Sequence, residues 1–316
     1  MVIKLKGLNL DGFPLSALAA YGLTRLLNKM GYQAELGFIN AATRPYARLG
    51  LLKGDNNNIK DIESLSENLV RYIESANFEE LGLHKGLEKL KDINKSNASG
   101  NIDREFYLAY IKKEPNTKKG ITRTPFDTTK GNQKFLNILR KVINSLRADQ
   151  ERAKAAFIEA LSETVLLIPN TTLSNKFKDT DKGKKLSRIG WHPSQFRRTA
   201  DQARIANEES KKDWETIRLN PAAVFLAWEA IPLYPFVPGA EVPLGFAKEN
   251  STLWLFLPTP ARCVNLTFLK TLVALAPSLK DRAPDLPIWR SRHVGSLARG
   301  DDYPCFLEAH PARSTT

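Results

Sequence analysis

The stretch GFPLSALAAYGLTRLLNKMG, residues 12–31, decides how this chain begins to fold. Its apolar residues recur at spacings of three and four, which places them on one face of a helix. Pro14 suits the first turn of that helix, and Gly31 suits its C-terminal end. The preceding residues 2–10, VIKLKGLNL, alternate as a strand does, and residues 32–39, YQAELGFI, predict a second strand.

The rest of the chain predicts an α+β fold rather than a regular βαβ alternation. We expect an N-terminal mixed α/β part with basic loops, followed by a helical C-terminal part with Pro-rich short strands. The predicted domains are residues 1–169, with a basic loop at 112–134, and residues 170–316, with a basic loop at 170–198. Predicted helices cover residues 61–75, 79–93, 134–146, 149–166, 194–219 and 266–276, a buried helix follows the cap Asn220-Pro221, and predicted strands cover 104–113 and 252–258.

The charge of the chain is concentrated in two segments. The net charge is +13, and residues 112–134 hold seven basic against two acidic residues, while residues 176–198 hold eight against two. Such an excess indicates a polyanion, either nucleic acid or an acidic membrane surface. The alternative is that these segments are solubilising or disordered.

The composition indicates a soluble protein of a reducing compartment. Cys263 and Cys305 are the two cysteines of the sequence, which is no disulfide framework. The N-terminus has no signal-peptide pattern, and the longest apolar run, AAVFLAWEAI, is too short to span a bilayer.

Catalytic signatures are weak throughout the sequence, so we predict no enzyme, no cofactor and no metal. No Walker A loop, GxGxxG motif or GxSxG elbow occurs. Cys305 and His310 could share a metal, but a full tetrahedral ligand set is missing. Asp301 and Asp302 are a weak metal signal, and Cys263 is interpreted as a core thiol.

The two basic segments carry the residue types that bind nucleic acid. Lys and Arg hold phosphates, Asn and Gln can pair with base edges, and rings such as Phe126 and Trp191 can stack on bases. Trp191 could instead anchor a loop to the core, and Gly131-Asn132 could be an ordinary helix entry. The candidate nucleic-acid-binding residues are Lys118, Lys119, Arg123, Lys130, Asn132, Gln133, Lys134, Lys176, Lys178, Lys182, Lys184, Lys185, Arg188, Gln195, Arg197 and Arg198.

Four stretches, in their order along the chain, resemble the large subunit of type I CRISPR interference complexes (Cascade), especially the small and divergent families of the I-G subtype. These are LKGLNLDGFPLSALAAYGLTRLL, KGNQKFLNIL, NPAAVFLAWEAIPLYP and LPIWRSRHVGSLARG. The residues that carry the resemblance are Gly22, Leu23, Arg25, Leu26, Gly131, Asn132, Phe135, Asn137, Asn220, Pro221, Glu229, Leu286, Pro287, Trp289 and Arg292. Lys130 departs from the glycine expected before Gly131. The chain is also shorter than many such subunits, which implies a separate small subunit that supplies the usual C-terminal helical bundle.

The resemblance implies a protein of antiviral defence in the prokaryotic cytoplasm. Such a subunit recognises the protospacer-adjacent motif, assists duplex opening and R-loop formation, and presents a surface to a helicase-nuclease. Its partners would be guide RNA, target double-stranded DNA, and the backbone and other Cascade subunits, with no membrane. The alternatives are a stand-alone DNA- or RNA-binding protein of a mobile element or regulator, or a metal-dependent nuclease that uses Asp301 and Asp302.

Overall fold

The computed structural model describes residues 1–10, 14–40, 43–52, 58–77, 104–113, 121–128, 135–167, 173, 189–191, 218–283, 285–294 and 305–313. The helices in these ranges are α1 (Pro14–Lys29), α2 (Ile62–Ser75), α3 (Arg104–Tyr110), α4 (Phe135–Arg147), α5 (Gln150–Ser162), α6 (Pro221–Glu229) and α7 (Leu266–Leu279). The strands are β1 (Val2–Asn9), β2 (Ala34–Ile39), β3 (Tyr46–Leu51), β4 (Ile111–Lys113), β5 (Ile121–Arg123), β6 (Leu166–Leu167), β7 (Arg218–Leu219), β8 (Phe246–Glu249), β9 (Thr252–Pro258), β10 (Val264–Asn265), β11 (Ile288–Val294) and β12 (Cys305–Pro311). Helices and antiparallel sheets occur together, so the predicted α+β class is confirmed.

The first sheet has the strand order β1, β3, β2, β10, and every neighbouring pair is antiparallel. β1 and β2 therefore run in the same direction with β3 between them, and α1 connects them. Leu5, Ala47 and Phe38 form one row across the three strands, and all three are buried. The Phe38 ring meets Tyr21 of α1 edge to face, with centroids 6.3 Å apart, so α1 covers this inner face.

The helix α6 lies buried against α1, as its all-round apolar sequence predicted. The Asn220 side chain caps it by accepting hydrogen bonds from the Ala222 and Ala223 amides at 2.9 and 3.4 Å. A Cβ atom at Gly22 would lie 1.7 Å from the Leu226 carbonyl oxygen, so only glycine permits this close approach. In the sequence, α1 precedes the domain boundary predicted after residue 169 and α6 follows it. Both helices nevertheless contribute to one hydrophobic core.

The second sheet has the strand order β12, β11, β9, β8 and is antiparallel throughout. Its strand β9 confirms the strand predicted for TLWLFLP, and α7 packs on it through Ala276 and Phe256. The Tyr21 hydroxyl donates a 2.7 Å hydrogen bond to the Pro258 carbonyl, which ties α1 to the end of β9.

In the described part of the chain, no helix combines the length and the apolar character that crossing a bilayer requires.

The strand predicted for residues 104–113 is wrong over most of its length. The segment is the helix α3, and only Ile111–Lys113 are extended. The apparent alternation would have put Phe106, Leu108 and Tyr110 on one face. Instead Phe106 and Tyr110 are buried together while Leu108 is 37% exposed, because helical spacing directs Phe106 onto the Trp228 ring at 5.2 Å.

Three other elements, β3, α5 and β7, differ from the predictions. The strand β3 was not predicted, because Ala47 and Gly50 leave little apolar alternation in YARLGL. The helix predicted to reach Leu166 ends at Ser162, and β6 pairs there with β7. β7 occupies the end of the polar helix predicted for residues 194–219. The rest of that helix and the helix predicted for residues 79–93 lie outside the described residues.

Candidate nucleic-acid interface

Residues 124–128 lie in the core, although the sequence places them inside a basic loop. β5 pairs with β4 and delivers the chain to Thr124, whose amide donates to the Tyr110 carbonyl at 2.8 Å. The Asp127 amide then donates to the Thr124 carbonyl at 3.0 Å, which closes a turn. Thr124, Phe126, Asp127 and Thr128 are all buried, so this part of the predicted loop 112–134 is structural.

The second basic loop meets the first at residues 189–191. The Gly190 amide donates to the Thr128 Oγ1 at 2.8 Å, and the Trp191 indole donates to the Phe126 carbonyl, also at 2.8 Å. The Gly190 carbonyl in turn accepts from the Phe306 amide of β12 at 2.8 Å. We call residues 124–128 together with residues 189–191 the junction.

Aromatic rings hold the junction in place. Phe126 is fully buried at the centre of the group, and its ring contacts are Trp191 at 6.3 Å, Tyr234 at 5.2 Å, Phe246 at 5.3 Å and Phe306 at 5.7 Å between centroids. Phe135, the first residue of α4, meets Trp191 at 6.1 Å. Edge-to-face ring pairs of this kind stabilise a core beyond the area that they bury.

The burial of these rings corrects one interpretation and confirms another. Phe126 and Trp191 are both completely inaccessible to solvent, so neither can stack on a base. The alternative for Trp191, that it anchors a loop to the core, is confirmed. Phe126 does the same from the other loop.

Most candidate residues directly flank the junction along the chain. Residues 129–134, with Lys130, Asn132, Gln133 and Lys134, follow directly after Thr128. Residues 182–188 end at Ile189, and residues 192–198 begin after Trp191. Each basic segment therefore passes through the junction, which holds the middle of the first segment against the second.

Of the sixteen candidate residues, Arg123 lies within the described ranges. Its side chain is 49% exposed at the end of β5, and Nη1 lies 3.5 Å from Oδ2 of the buried Asp127. This pair holds the guanidinium at the surface end of the junction. The other fifteen candidates, and Asp301 and Asp302, lie outside the described residues: Lys118, Lys119, Lys130, Asn132, Gln133, Lys134, Lys176, Lys178, Lys182, Lys184, Lys185, Arg188, Gln195, Arg197 and Arg198.

His293 of β11 borders the junction, and no sequence pattern singled it out. Burial lowers the pKa of its imidazole to about 4, although a hydrogen bond to the Pro125 carbonyl acts in the opposite direction. Its ring meets Phe306 at 5.1 Å. His293 is therefore neutral at physiological pH and supports the junction instead of contributing positive charge.

Two of the stretches that carry the family resemblance meet at the contact between α1 and α6. Arg25 Nη1 donates to Glu229 Oε2 in a buried ion pair, and its Nη2 donates to Glu105 Oε2 at 2.9 Å. Lys270 also reaches Glu105, at 2.9 Å. Burial alone would raise the pKa of Glu105, but the bonds from Lys270 and Arg25 lower it overall. Arg25 and Glu229 thus have a visible structural role.

Cys305 and His310, which the sequence suggested as a pair of metal ligands, lie far apart. Cys305 and His310 stand five residues apart on β12, which separates them by about 16 Å along the strand. Burial raises the pKa of the Cys305 thiol to about 12, so it stays protonated. His310 Nε2 accepts a hydrogen bond from Arg290 Nε at 3.3 Å. In the part of the chain that the structure describes, no group of three His, Cys, Asp or Glu residues is placed to hold a metal ion.

Comparison with known proteins adds no family to these observations. No protein-family model and no curated protein matches the sequence.

Proposed function

We propose that this chain binds nucleic acid through the two basic segments that meet at the junction, as the large subunit of an RNA-guided CRISPR interference complex. The supporting observation is the hydrogen bond between the Gly190 amide and Thr128 Oγ1, which joins two segments 62 residues apart. Two separate basic loops could face any direction. Two segments that pass through one anchored point can act on one ligand.

The charge of the segments favours a nucleic acid as that ligand. Residues 112–134 and 176–198 carry fifteen basic residues against four acidic ones. A surface that focuses one sign of charge raises the local concentration of a polyanion and speeds its association. The amides of Asn132 and Gln133 stand among the lysines, and such side chains can pair with base edges that lysine cannot distinguish.

In the proposed complex the segments read the protospacer-adjacent motif and help the duplex to open beside it. Guide RNA pairs with the target strand, and this exchange of duplexes is nearly balanced in free energy, so modest protein contacts decide whether it begins. The chain would assemble with backbone and other Cascade subunits, a separate small subunit and guide RNA in the prokaryotic cytoplasm. A helicase-nuclease recruited to target DNA would perform the cleavage, and this chain would perform none.

A salt titration of DNA binding tests the proposal. Lys182→Glu, Lys184→Glu and Lys185→Glu would be combined in the full chain, and binding to a labelled 30-base-pair duplex would be followed by fluorescence anisotropy. Each lost phosphate contact lowers the slope of log affinity against log salt by about 0.9. We expect the slope to fall by about 2 to 3.

A matched control separates local contacts from total charge. Lys60→Glu, Arg71→Glu and Arg282→Glu reverse three exposed bases outside the basic segments, which is the same change in net charge, and we expect the duplex affinity to change less than threefold. A triple variant with the wild-type slope would refute the role of residues 182–185. Equal losses in the triple variant and the control would show that only net charge matters.

A further inference from the structure

The outer face of the first sheet carries a second group of basic residues, far along the sequence from both basic segments. Lys4 and Lys6 of β1 are exposed, and Arg48 of β3 pairs directly with Lys4 across the strands. Gly37 is the next residue in this row, and the exposed Arg262 belongs to the segment that crosses beside it. Four bases thus lie on or beside this face: Lys4, Lys6, Arg48 and Arg262. Among the described residues of the same face, Glu35 supplies a carboxylate.

This arrangement is costly in an isolated protein. Like charges directly opposite each other on neighbouring strands destabilise a sheet, and Lys4 and Arg48 are such a pair. Among the described residues, neither Lys4 nor Lys6 forms an ion pair. The bases on this face outnumber Glu35, so the face keeps an excess of positive charge that is suited to an external polyanion.

A hydrogen bond to a neutral carbonyl group holds the Arg48 guanidinium in place and leaves its positive charge uncompensated by that partner. Its Nη2 donates to the Ala261 carbonyl, so the guanidinium reaches across β2 to the neighbouring segment. A Cβ atom at residue 37 would lie 3.0 Å from Arg48 Nε and 3.1 Å from the Cys263 amide nitrogen, so Gly37 makes room for this crossing. The Cys263 thiol beside it does not neutralise the guanidinium, because burial raises the pKa of the thiol and keeps it protonated.

We propose that the outer face of this sheet binds an unpaired nucleic-acid strand. The row from Lys4 through Arg48 to Gly37 crosses two strand spacings, or about 10 Å, and Arg262 lies beside Gly37 at its end. Tyr46 is half-buried on the same face, two residues before Arg48, while the backbone of Arg262 and Cys263 covers Gly37. Lysines that hold the backbone beside a ring that can stack on a base are the usual means of binding single strands. A duplex would instead require an element that enters its groove.

Binding of an oligonucleotide to charge-reversed variants tests this site. Lys4→Glu with Lys6→Glu would be compared with the full wild-type chain, using a fluorescein-labelled 20-residue oligothymidylate at 50 to 300 mM NaCl. We expect the affinity to fall about tenfold or more, and the salt slope to fall by about 1.4, because each phosphate contact on a single strand contributes about 0.7. Arg48→Gln keeps a donor for the Ala261 carbonyl but loses the charge, and we expect a loss of about threefold.

The controls separate this site from total charge and from the proposed function. The double variant Lys60→Glu, Arg71→Glu makes the same change in net charge and should bind the oligonucleotide within threefold of wild type. Equal losses in both double variants, or a wild-type affinity in Lys4→Glu, Lys6→Glu, would overturn the proposal. The variant at residues 182–185 is tested on duplex DNA, and the variant of Lys4 and Lys6 on a single strand. Either proposal can therefore be refuted while the other is supported.

Two further probes test the chemistry of the ligand. Polyglutamate that displaces the oligonucleotide at equal charge concentration would show a face for acidic proteins, and would overturn the assignment to nucleic acid. Vesicles with 30% phosphatidylserine test the membrane alternative, since the exposed Val2 and Leu52 lie close to the lysines. Vesicle binding that depends on Lys4 and Lys6, with oligonucleotide binding unaffected by them, would assign the face to membranes. We expect neither result.

Discussion

The contact between α1 and α6 and the junction both join segments that are distant in the sequence, but they use different interactions. At the helix contact, the charges lie inside: Arg25 is buried and is neutralised by Glu229 and Glu105. At the junction, hydrogen bonds between backbone groups and the Thr128 and Trp191 side chains make the contact together with aromatic rings, and the basic residues stand in the flanking sequence. A charged residue in a recognisable sequence stretch can therefore belong entirely to the fold, as Arg25 and Glu229 do.

Breaking the ion pair of the helix contact should have the largest effect. Glu229→Gln leaves the buried Arg25 with less compensation for its charge, and removing one partner of a buried pair costs about 3 to 5 kcal/mol. We expect a loss near 3 kcal/mol in the free energy of unfolding, measured by urea denaturation, since Glu105 still contacts Arg25. Lys270→Gln removes the exposed arm of the same network and should cost less than about 1 kcal/mol. Similar costs for both variants would contradict the structural role assigned to Glu229.

The close approach of the two helices gives the next prediction. Gly22→Ala places a methyl group against the Leu226 carbonyl, and the helices must separate to admit it. Overpacking of this kind costs about 1 to 3 kcal/mol or more. Ala274→Ser changes a half-exposed position of α7 and serves as the control, with an expected change below about 0.5 kcal/mol. If Gly22→Ala unfolded at the wild-type urea concentration, the helices would not be in contact at this position.

Glu159 is a buried carboxylate that contrasts with Glu229, because Glu229 pairs with Arg25. Glu159 of α5 is buried, and among the described residues its Oε2 has no hydrogen-bond partner. Burial, and to a lesser extent the nearby Glu163, raises the pKa of Glu159 to about 7. The folded state therefore holds this proton more tightly than the unfolded state does. The resulting stabilisation is complete below pH 4.5 and is lost as the pH rises through about 7.

Glu159→Gln should remove this pH dependence. We expect the variant to be more stable than wild type at pH 8, by an amount on the order of 1 to 3 kcal/mol, and close to wild type at pH 4.5. Urea unfolding at both pH values measures the difference. Glu151→Gln, in the exposed first turn of the same helix, should change stability little at either pH. A constant difference between variant and wild type across this range would contradict the assignment.

The smallest expected effect concerns the junction itself. Thr128→Val preserves shape but removes the oxygen that accepts from the Gly190 amide, and an unsatisfied buried amide costs about 1 to 3 kcal/mol. We expect a value near the lower limit, together with weaker duplex binding, because the two basic segments are then held together less firmly. Thr271→Val on the exposed face of α7 is the matched control and should alter neither quantity. A loss of stability with unchanged DNA affinity would separate the junction from binding.

Sequence patterns predicted the elements whose periodicity reflects burial. The helix over residues 14–29 and the cap at Asn220 were predicted because their apolar spacing and capping chemistry are local. Residues 104–110 were misread because an alternation of Phe106, Leu108 and Tyr110 fits a strand as well as a helix until Trp228 is in place. The sequence also could not show that Thr128 meets Gly190, since no local signal encodes a contact across 62 residues.

The substitutions Gln133→Ala and Asn132→Ala test whether the segment after Thr128 reads the DNA motif. Binding of the assembled guide complex to a library of motif variants would be measured beside thermal melting of the same proteins. The account predicts that Gln133→Ala relaxes the preference at one motif position by about 1 to 3 kcal/mol and leaves melting unchanged. A lower melting temperature for both variants, with an unaltered motif profile, would show that the segment only caps a helix and would contradict the account.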